Sequence, residues 1–122
     1  MSNNNLSELR RQVVQFLSEF KTLIKHDPCN FKYNHKNTLT MNQLGYSFVQ
    51  CEEEFLDLQP ENYYDGPCDD YHGGCYWVFG KKVQGHMIYI KIRIYNNHDG
   101  TDIPYCYSFH FPDDPMRNFK LA

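Results

Sequence analysis

The chain has 122 residues, enough for one domain with one hydrophobic core. A mean hydropathy of −0.69 and the lack of a long apolar run exclude a transmembrane helix. The net charge is −3, but it is uneven: residues 1–75 hold six Lys and Arg against eleven Asp and Glu, whereas residues 76–122 hold six against four. The excess of Lys and Arg in residues 76–122 could bind phosphate, and the acidic residues between 52 and 70 could bind a basic partner.

The first five residues are polar and lack the basic and then apolar layout of a signal peptide, so we expect a cytoplasmic protein. Reduced thiols are normal in that compartment, and an odd number of cysteines does not suit a disulfide framework. We therefore expect the five cysteines to be free thiols.

Residues 6–25 have the apolar spacing of an amphipathic helix. Asn5 and Glu8 have the spacing of a capping box at its start. Asp27-Pro28 is expected to end the helix, because proline disfavours helical geometry in the residue before it.

Residues 28–38 are polar and rich in Asn, which predicts a loop. Thr40 and Gln43 form a second capping box, which predicts a short helical turn ending at the next glycine. Ser47 and Gln50 form a third, which predicts a helix to about residue 57.

Pro60 suits the first position of one more short helical turn, which we expect to include Tyr63 and Tyr64. Residues 65–75 contain three glycines, one proline and three aspartates. This composition predicts a loop.

Three strands are expected after that loop, at residues 76–81, 86–95 and 103–111. Gln84-Gly85 suits a two-residue hairpin turn between the first two. Helices followed by a three-stranded antiparallel meander predict an α+β fold, in a single domain over residues 1–122, with the helices packed on one face of the sheet.

The middle strand alternates four isoleucines with Tyr89, Lys91, Arg93 and Tyr95. The isoleucines are expected to face the core, which places Tyr89, Lys91 and Arg93 on the opposite, open face. A two-residue turn would pair Lys81 with Ile88 and Val78 with Lys91. Lys81 would then lie on the core side, from which its long side chain could still reach solvent, and Val78 on the open face.

On the third strand four aromatic residues from Tyr105 to Phe111 alternate with Cys106, Ser108 and His110. We expect the aromatic residues to point inward. Ser108 and His110 would then share the open face with Tyr89 and Lys91, about 5 Å away on the neighbouring strand.

A phenol, a cation and an imidazole on one face suit the cleavage of RNA by its own 2′-hydroxyl. Histidine titrates in the range that acid–base work requires. Lys91 and Arg93 could hold the phosphate, and Tyr89 could donate a hydrogen bond to it or stack on a base. This chemistry requires neither a metal ion nor another cofactor. The plainer interpretation, a solvated strand face, remains open.

Several short segments also occur in a characteristic order. They are Tyr63-Tyr64-Asp65-Gly66-Pro67, Trp77-Val78-Phe79-Gly80-Lys81, Tyr89-Ile90-Lys91-Ile92, Ser108-Phe109-His110 and Pro115-Met116. Together they resemble a divergent branch of the MqsR family of bacterial type II toxins, over about residues 16–119.

The resemblance implies a RelE-like fold and an mRNA endoribonuclease that a cognate antitoxin protein blocks. Tyr89 and Lys91 match the family's Tyr-x-Lys strand, in which the tyrosine is thought to be catalytic, and Lys81 and His110 match positions typical of the branch. A lysine and a glutamine of the better-known members correspond here to Asp65 and Val78.

The predicted catalytic residues are therefore Tyr89, Lys91 and His110. The predicted substrate-binding residues are Lys81, Arg93, Tyr64, Arg117 and Lys120. The predicted partners are mRNA and an antitoxin, with no membrane partner and with a homodimer left open.

Three alternatives remain. Cys68, His72 and Cys75, with Cys29 or His26, could bind a metal ion, although the spacing is not that of a standard zinc site. The chain could be an inactive module that binds a basic partner through its acidic residues 52–70. A nucleophilic Cys106 on the His110 side of its strand is the third.

Overall fold

The expected amphipathic helix is present as α1 (Asn3–His26), and its apolar side covers one face of a sheet. The structure is a computed structural model, which describes residues 3–122 and the side chains from residue 5 onward. The helix begins before Asn5, so the predicted capping box at Asn5 is wrong. Glu8 instead pairs with Arg11, one helical turn along, at 2.5 Å.

The second helix, α2 (His35–Leu44), begins inside the segment expected to be a loop. The Asn34 side chain caps it by accepting a hydrogen bond from the backbone N–H of Asn37. The prediction that Thr40 starts this helix is therefore wrong. Gly45 ends it, as expected, with a left-handed φ of 71°.

The third helix, α3 (Phe48–Leu56), confirms the capping box of Ser47 and Gln50. The Gln50 side chain accepts from the backbone of Ser47 at 2.7 Å, and Ser47 Oγ accepts in return from the backbone of Gln50. No helix within residues 3–122 is long and apolar enough to cross a membrane.

The sheet has five strands in the order β1-β5-β4-β3-β2. They are β1 (Asn30–Phe31), β2 (Tyr63–Asp69), β3 (Cys75–Val83), β4 (His86–Asn96) and β5 (Asp102–His110). β1 runs parallel to β5, and the other pairs are antiparallel. The α+β class is confirmed, whereas the prediction of a sheet with only three strands is wrong.

The two additional strands lie in segments expected to be loop or turn. β1 has only two residues, too few for any alternation. Before β2 a short 3-10 helix spans Pro60–Asn62, so Pro60 does open a helical turn, but Tyr63 and Tyr64 belong to the strand. β2 carries two register shifts against β3, and its Gly66-Pro67 pair gives it a loop-like composition.

The first hairpin has the predicted register. Gln84 and Gly85 both have positive φ, 53° and 80°, as in a two-residue turn whose twist matches that of the flanking strands. Lys81 therefore lies opposite Ile88, and Val78 opposite Lys91.

The helices cover the isoleucine face of β4. Ile88, Ile90 and Ile92 are fully buried, and the Phe55 ring meets the rings of Phe20 and Phe109 edge to face at 5.9 and 6.1 Å. The opposite face of β4 is consequently the open face.

A β-bulge changes the alternation of β5. Lys91 pairs with Ser108, but the next residue, Ile92, pairs with Cys106, so Tyr107 is the extra residue. Cys106 and Phe109 are fully buried, whereas Tyr107 contacts Lys91 on the open face. The prediction that Tyr105 and Tyr107 point into the core, with Cys106 on the open side, is wrong.

Candidate active site

A cleft of about 410 Å³ lies between the open face of β4 and β5 and the C-terminal segment. Tyr89, Lys91 and His110 all line it. The other lining residues are Tyr64, Ser108, Pro112, Asp113, Asp114, Pro115 and Met116. The structure thus brings the three predicted catalytic residues together.

Tyr89 and His110, which both line this cleft, form a stacked pair. They are directly opposite in the register of β4 and β5, with ring centroids 5.4 Å apart and ring planes 17° apart. Residues opposite each other on an antiparallel pair share one face of the sheet, which explains the stacking.

The hydrogen bonding of His110 selects one tautomer of its ring. Nδ1 lies 2.8 Å from the carbonyl oxygen of Phe111, and a carbonyl can only accept, so Nδ1 carries the proton. In the neutral ring Nε2 then has the lone pair, and it has no hydrogen-bond partner within residues 3–122. His110 is only 8 % exposed, but its Nε2 is accessible to solvent.

Tyr89 is held as a neutral phenol. Burial raises the pKa of its hydroxyl, and nearby Tyr76, Cys68, Asp65 and Asp113 raise it further by disfavouring a second negative charge. A protonated phenol beside an imidazole can donate a hydrogen bond or a proton to a bound anion.

Lys91 is a cation held by aromatic rings. Its Nζ lies 4.0 Å from the centroid of the Tyr76 ring and 5.1 Å from that of Tyr107. None of the ion pairs among residues 3–122 involves Lys91. Its charge is therefore available to an anion in the cleft.

One wall of the cleft is acidic. Asp113 and Asp114 are exposed in the segment after β5, and Asp113 pairs with Lys36 at 2.8 Å. The hydrogen bond and charge of Lys36 lower the pKa of Asp113, so its carboxylate stays ionised. These carboxylates oppose the binding of a polyanion to the cleft.

Arg93, predicted to bind substrate, is buried in a network instead. Its Nη1 lies 2.6 Å from Asp70 Oδ2 and donates to the carbonyl of Gly73 at 2.6 Å. The Tyr107 hydroxyl donates to the same Asp70 oxygen at 2.7 Å and contacts the Tyr95 hydroxyl. Arg93 thus ties the β2–β3 turn to the open face and is not free to contact a substrate.

Lys81 is also absent from the cleft. It lies on the helix side of β3, where Nζ forms a short ion pair with Glu54 and a second with Asp57 at 3.1 Å. Its side chain is only 15 % exposed. The long side chain therefore reaches two acids at the end of α3 rather than the open face.

The other predicted substrate-binding residues are divided. Tyr64 lines the cleft, and its ring packs against Phe119 at 5.3 Å. Arg117 is exposed and does not line the cleft. Lys120 lines a different surface depression near the start of α1.

The cysteines form no metal site within the described residues, which contain no group of three or more potential metal ligands. All five are free thiols. Cys106 is fully buried among apolar side chains, and burial raises its pKa well above the usual value. A buried, protonated thiol does not suit a nucleophile.

Most of the acidic residues between 52 and 70 are occupied internally. Glu52 accepts from the backbone of Cys29 at 2.7 Å, and Glu61 pairs with Arg10 at 3.1 Å. The remaining internal partners are Lys81 for Glu54 and Asp57, and Arg93 for Asp70. Glu53, Asp65 and Asp69 are exposed and take part in no ion pair among residues 3–122.

Sequence reasoning missed Tyr76 and Tyr107, whose rings hold Lys91, and Asp70, which holds Tyr107. The register of the first hairpin could have indicated Tyr76, which precedes Trp77 opposite Ile92 on β4. Tyr107 could not be found in this way, since its orientation depends on the bulge.

The chain matches no family model, no curated protein and no solved structure. The resemblance to MqsR-like toxins therefore remains a prediction. The two positions at which this chain departs from that pattern, Asp65 and Val78, lie opposite each other on β2 and β3. Asp65 is exposed and Val78 is buried, so neither supplies the expected lysine or glutamine group.

Proposed function

We propose that this protein is an endoribonuclease that cuts single-stranded mRNA through its 2′-hydroxyl, and that it acts as the toxin of a bacterial toxin–antitoxin pair. The observation that carries the proposal is the convergence of Tyr89, Lys91 and His110 in one cleft. These groups can serve as base, acid and cation for this reaction.

In the proposed reaction Nε2 of His110 accepts the proton of the 2′-hydroxyl. The 2′-oxygen forms a bond to phosphorus while the bond from phosphorus to the 5′-oxygen breaks. The Tyr89 hydroxyl protonates the leaving 5′-oxygen, and the products are a 2′,3′-cyclic phosphate and a free 5′-hydroxyl. Transfer of the His110 proton back to Tyr89, directly or through water, restores both groups.

Lys91 stabilises the additional negative charge of the phosphorus intermediate. Its position over two rings supports this role, because the attraction of the rings for a cation favours the conformation in which the ammonium lies in the cleft. A fixed cation aimed at a developing charge contributes more than a mobile one, since it needs no reorganisation during the reaction.

The RelE-like fold and the antitoxin follow from the resemblance. The five-stranded sheet with helices on one face is compatible with such a fold. An adjacent reading frame that encodes a small DNA-binding protein would support the toxin assignment.

The test is the cleavage of a labelled single-stranded RNA by the purified protein in the presence of a chelator. We expect His110→Ala and Tyr89→Phe each to slow cleavage by at least about 100-fold, the usual contribution of a general acid or base. His98→Ala, in the exposed β4–β5 turn, is the matched control and should cleave at the wild-type rate. If neither the wild type nor the variants cleave the RNA, and expression of the wild type does not arrest growth, the proposal is refuted.

A second candidate is a protein-binding module without catalysis. A groove of about 200 Å³ between β1, α2 and α3 favours it, since Tyr33 (89 % exposed) and Phe48 (52 % exposed) present apolar surface there. Such a surface is also compatible with an antitoxin-binding site. The two candidates therefore differ in RNA cleavage, which the experiment above measures.

A further inference from the structure

A second concave surface, which we name the tyrosine groove, lies on the open face beside the cleft. It has a volume of about 430 Å³ and spans β1, β5 and β4. The residues that line it include Tyr95, Tyr105 and Tyr107, together with Lys32, Asn30 and His72. The bulge in β5 creates this surface, because it turns Tyr105 and Tyr107 outward.

The three rings pack against one another in a cluster. Tyr105 meets Tyr95 edge to face at 5.6 Å and Tyr107 at 5.1 Å. The Arg93 guanidinium lies 3.7 Å from the centroid of Tyr95 and covers one face of that ring. Tyr105 differs from the other two, because its hydroxyl has no hydrogen-bond partner within residues 3–122 and its ring is half-buried. Its side chain can therefore contact a ligand without disturbing the hydrogen bonds that join Tyr107 to Tyr95 and Asp70.

The charges at the tyrosine groove favour an anion. No carboxylate lines it among the described residues. Asp70, which accepts from the Tyr107 hydroxyl, is neutralised by Arg93 at 2.6 Å. Lys32 is exposed and takes part in no ion pair among residues 3–122. The groove thus contrasts with the cleft, where Asp113 and Asp114 form one wall.

The groove and the cleft lie on the same two strands, β4 and β5. Tyr107 belongs to the groove, and its ring also contacts Lys91 in the cleft. Tyr95 follows Lys91 by four residues on β4, which is about 13 Å along a strand. A flexible single strand with a phosphate at Lys91 can therefore reach the groove.

We propose that the tyrosine groove binds bases of a single-stranded RNA by stacking, with Lys32 contacting its backbone. This inference rests on the proposed function, because it takes the cleft as the position of the cleaved phosphate. Stacking on tyrosine tolerates every base, so the groove contributes affinity with little sequence preference. A duplex, whose bases are already stacked on one another, does not fit this mode.

The test uses a short single-stranded RNA with 2′-O-methyl groups throughout, which cannot be cleaved by the proposed reaction. Binding is measured by fluorescence anisotropy. We expect Tyr105→Leu to bind about tenfold more weakly, the loss typical of one stacked base, and Tyr105→Phe to bind like wild type. Lys32→Gln should reduce the slope of log affinity against log salt by about 0.7, as expected for one phosphate contact to a single strand. Thermal unfolding verifies that each variant is folded.

The two proposals fail separately. If Tyr105→Leu binds the 2′-O-methyl RNA as tightly as wild type does, or if wild type does not bind it, the proposed role of the groove is wrong. This conclusion holds whether or not unmodified RNA is cleaved. Tighter binding of a duplex of the same sequence would also overturn it, since that outcome indicates contacts with the backbone alone. If wild type binds through Tyr105 but never cleaves unmodified RNA, the groove stands and the catalytic proposal fails.

Discussion

Replacement of Asp70 by Asn should destabilise the protein more than any other single-atom change on the open face. Asp70 Oδ2 receives hydrogen bonds from Arg93 and Tyr107, and Oδ1 receives one from the backbone of His72 at 3.0 Å. The NH₂ group of Asn is a hydrogen-bond donor, and it would face the donor groups of Arg93 and Tyr107. It would also leave the Arg93 guanidinium, only 5 % exposed, without its counter-charge.

The lost ion pair and the lowered pKa of Asp70 both indicate the size of this destabilisation. Breaking a buried ion pair by removing one partner typically costs about 3–5 kcal/mol. Independently, burial alone would raise the pKa of Asp70, but the hydrogen bonds from His72, Tyr107 and Arg93 outweigh burial and lower it to about 2 from 3.8. That shift corresponds to about 2 kcal/mol of stability for the ionised group. We expect a loss of about 3 kcal/mol at pH 7, or about 12 °C in Tm at the usual entropy of unfolding per residue.

The pH dependence has a definite sign. Because the pKa of Asp70 is lower in the folded protein, the carboxylate stabilises the fold above about pH 4, and this contribution is lost as the pH falls toward 2. The difference between wild type and Asp70→Asn should therefore be largest at neutral pH and shrink below pH 4.

Urea denaturation at pH 7, 4 and 2.5 measures these differences. Asp69→Asn is the matched control, since Asp69 is exposed and has no side-chain partner within the described residues, and it should change stability by less than about 0.5 kcal/mol. If Asp70→Asn costs no more than Asp69→Asn at pH 7, the network does not stabilise the fold. A double-mutant cycle with Arg93→Met would then show no coupling between the two sites.

Three further outcomes are expected. Replacing both Asp113 and Asp114 by Asn should lower KM for RNA several-fold at low salt, because it removes negative charge from the cleft wall; an unchanged KM would contradict this view of the cleft. Lys81→Met should lower the free energy of unfolding by about 1–2 kcal/mol without raising KM, since Lys81 is paired with acids on the helix side; a selective rise in KM would restore its role in substrate binding. Gly80→Ala should cost about 1–3 kcal/mol in urea denaturation, because its Cβ would lie 2.7 Å from the ring of Phe119, and an unchanged midpoint would show that the C-terminal segment moves freely.

Much of the fold was predictable because the relevant signals are local. Alternation of isoleucine with Tyr89 and Lys91 indicated which face of β4 is buried, since side chains on a strand have a period of two. The turn at Gln84-Gly85 then determined the register of β3 against β4. The same local reasoning located the capping box at Ser47.

The candidate site was only partly predictable, because long side chains reach partners that are distant in the sequence. Lys81 contacts Glu54, 27 residues before it, and Arg93 contacts Asp70, 23 residues before it. Both cations were expected at the substrate, and both are occupied by acids that alternation along one strand cannot reveal.

The sequence alone determined the α+β class, the open face of β4 and the pairing of Tyr89 with the strand that carries His110. The tertiary structure decided that β1 and β2 join the sheet, that Arg93 forms a buried ion pair with Asp70, and that a bulge turns Tyr107 outward. The physical reason is the range of the interactions. Periodicity and turn geometry act over a few residues and can be recognised along the chain. Edge pairing, bulges and buried ion pairs depend on which distant segments meet when the helices cover the isoleucine face.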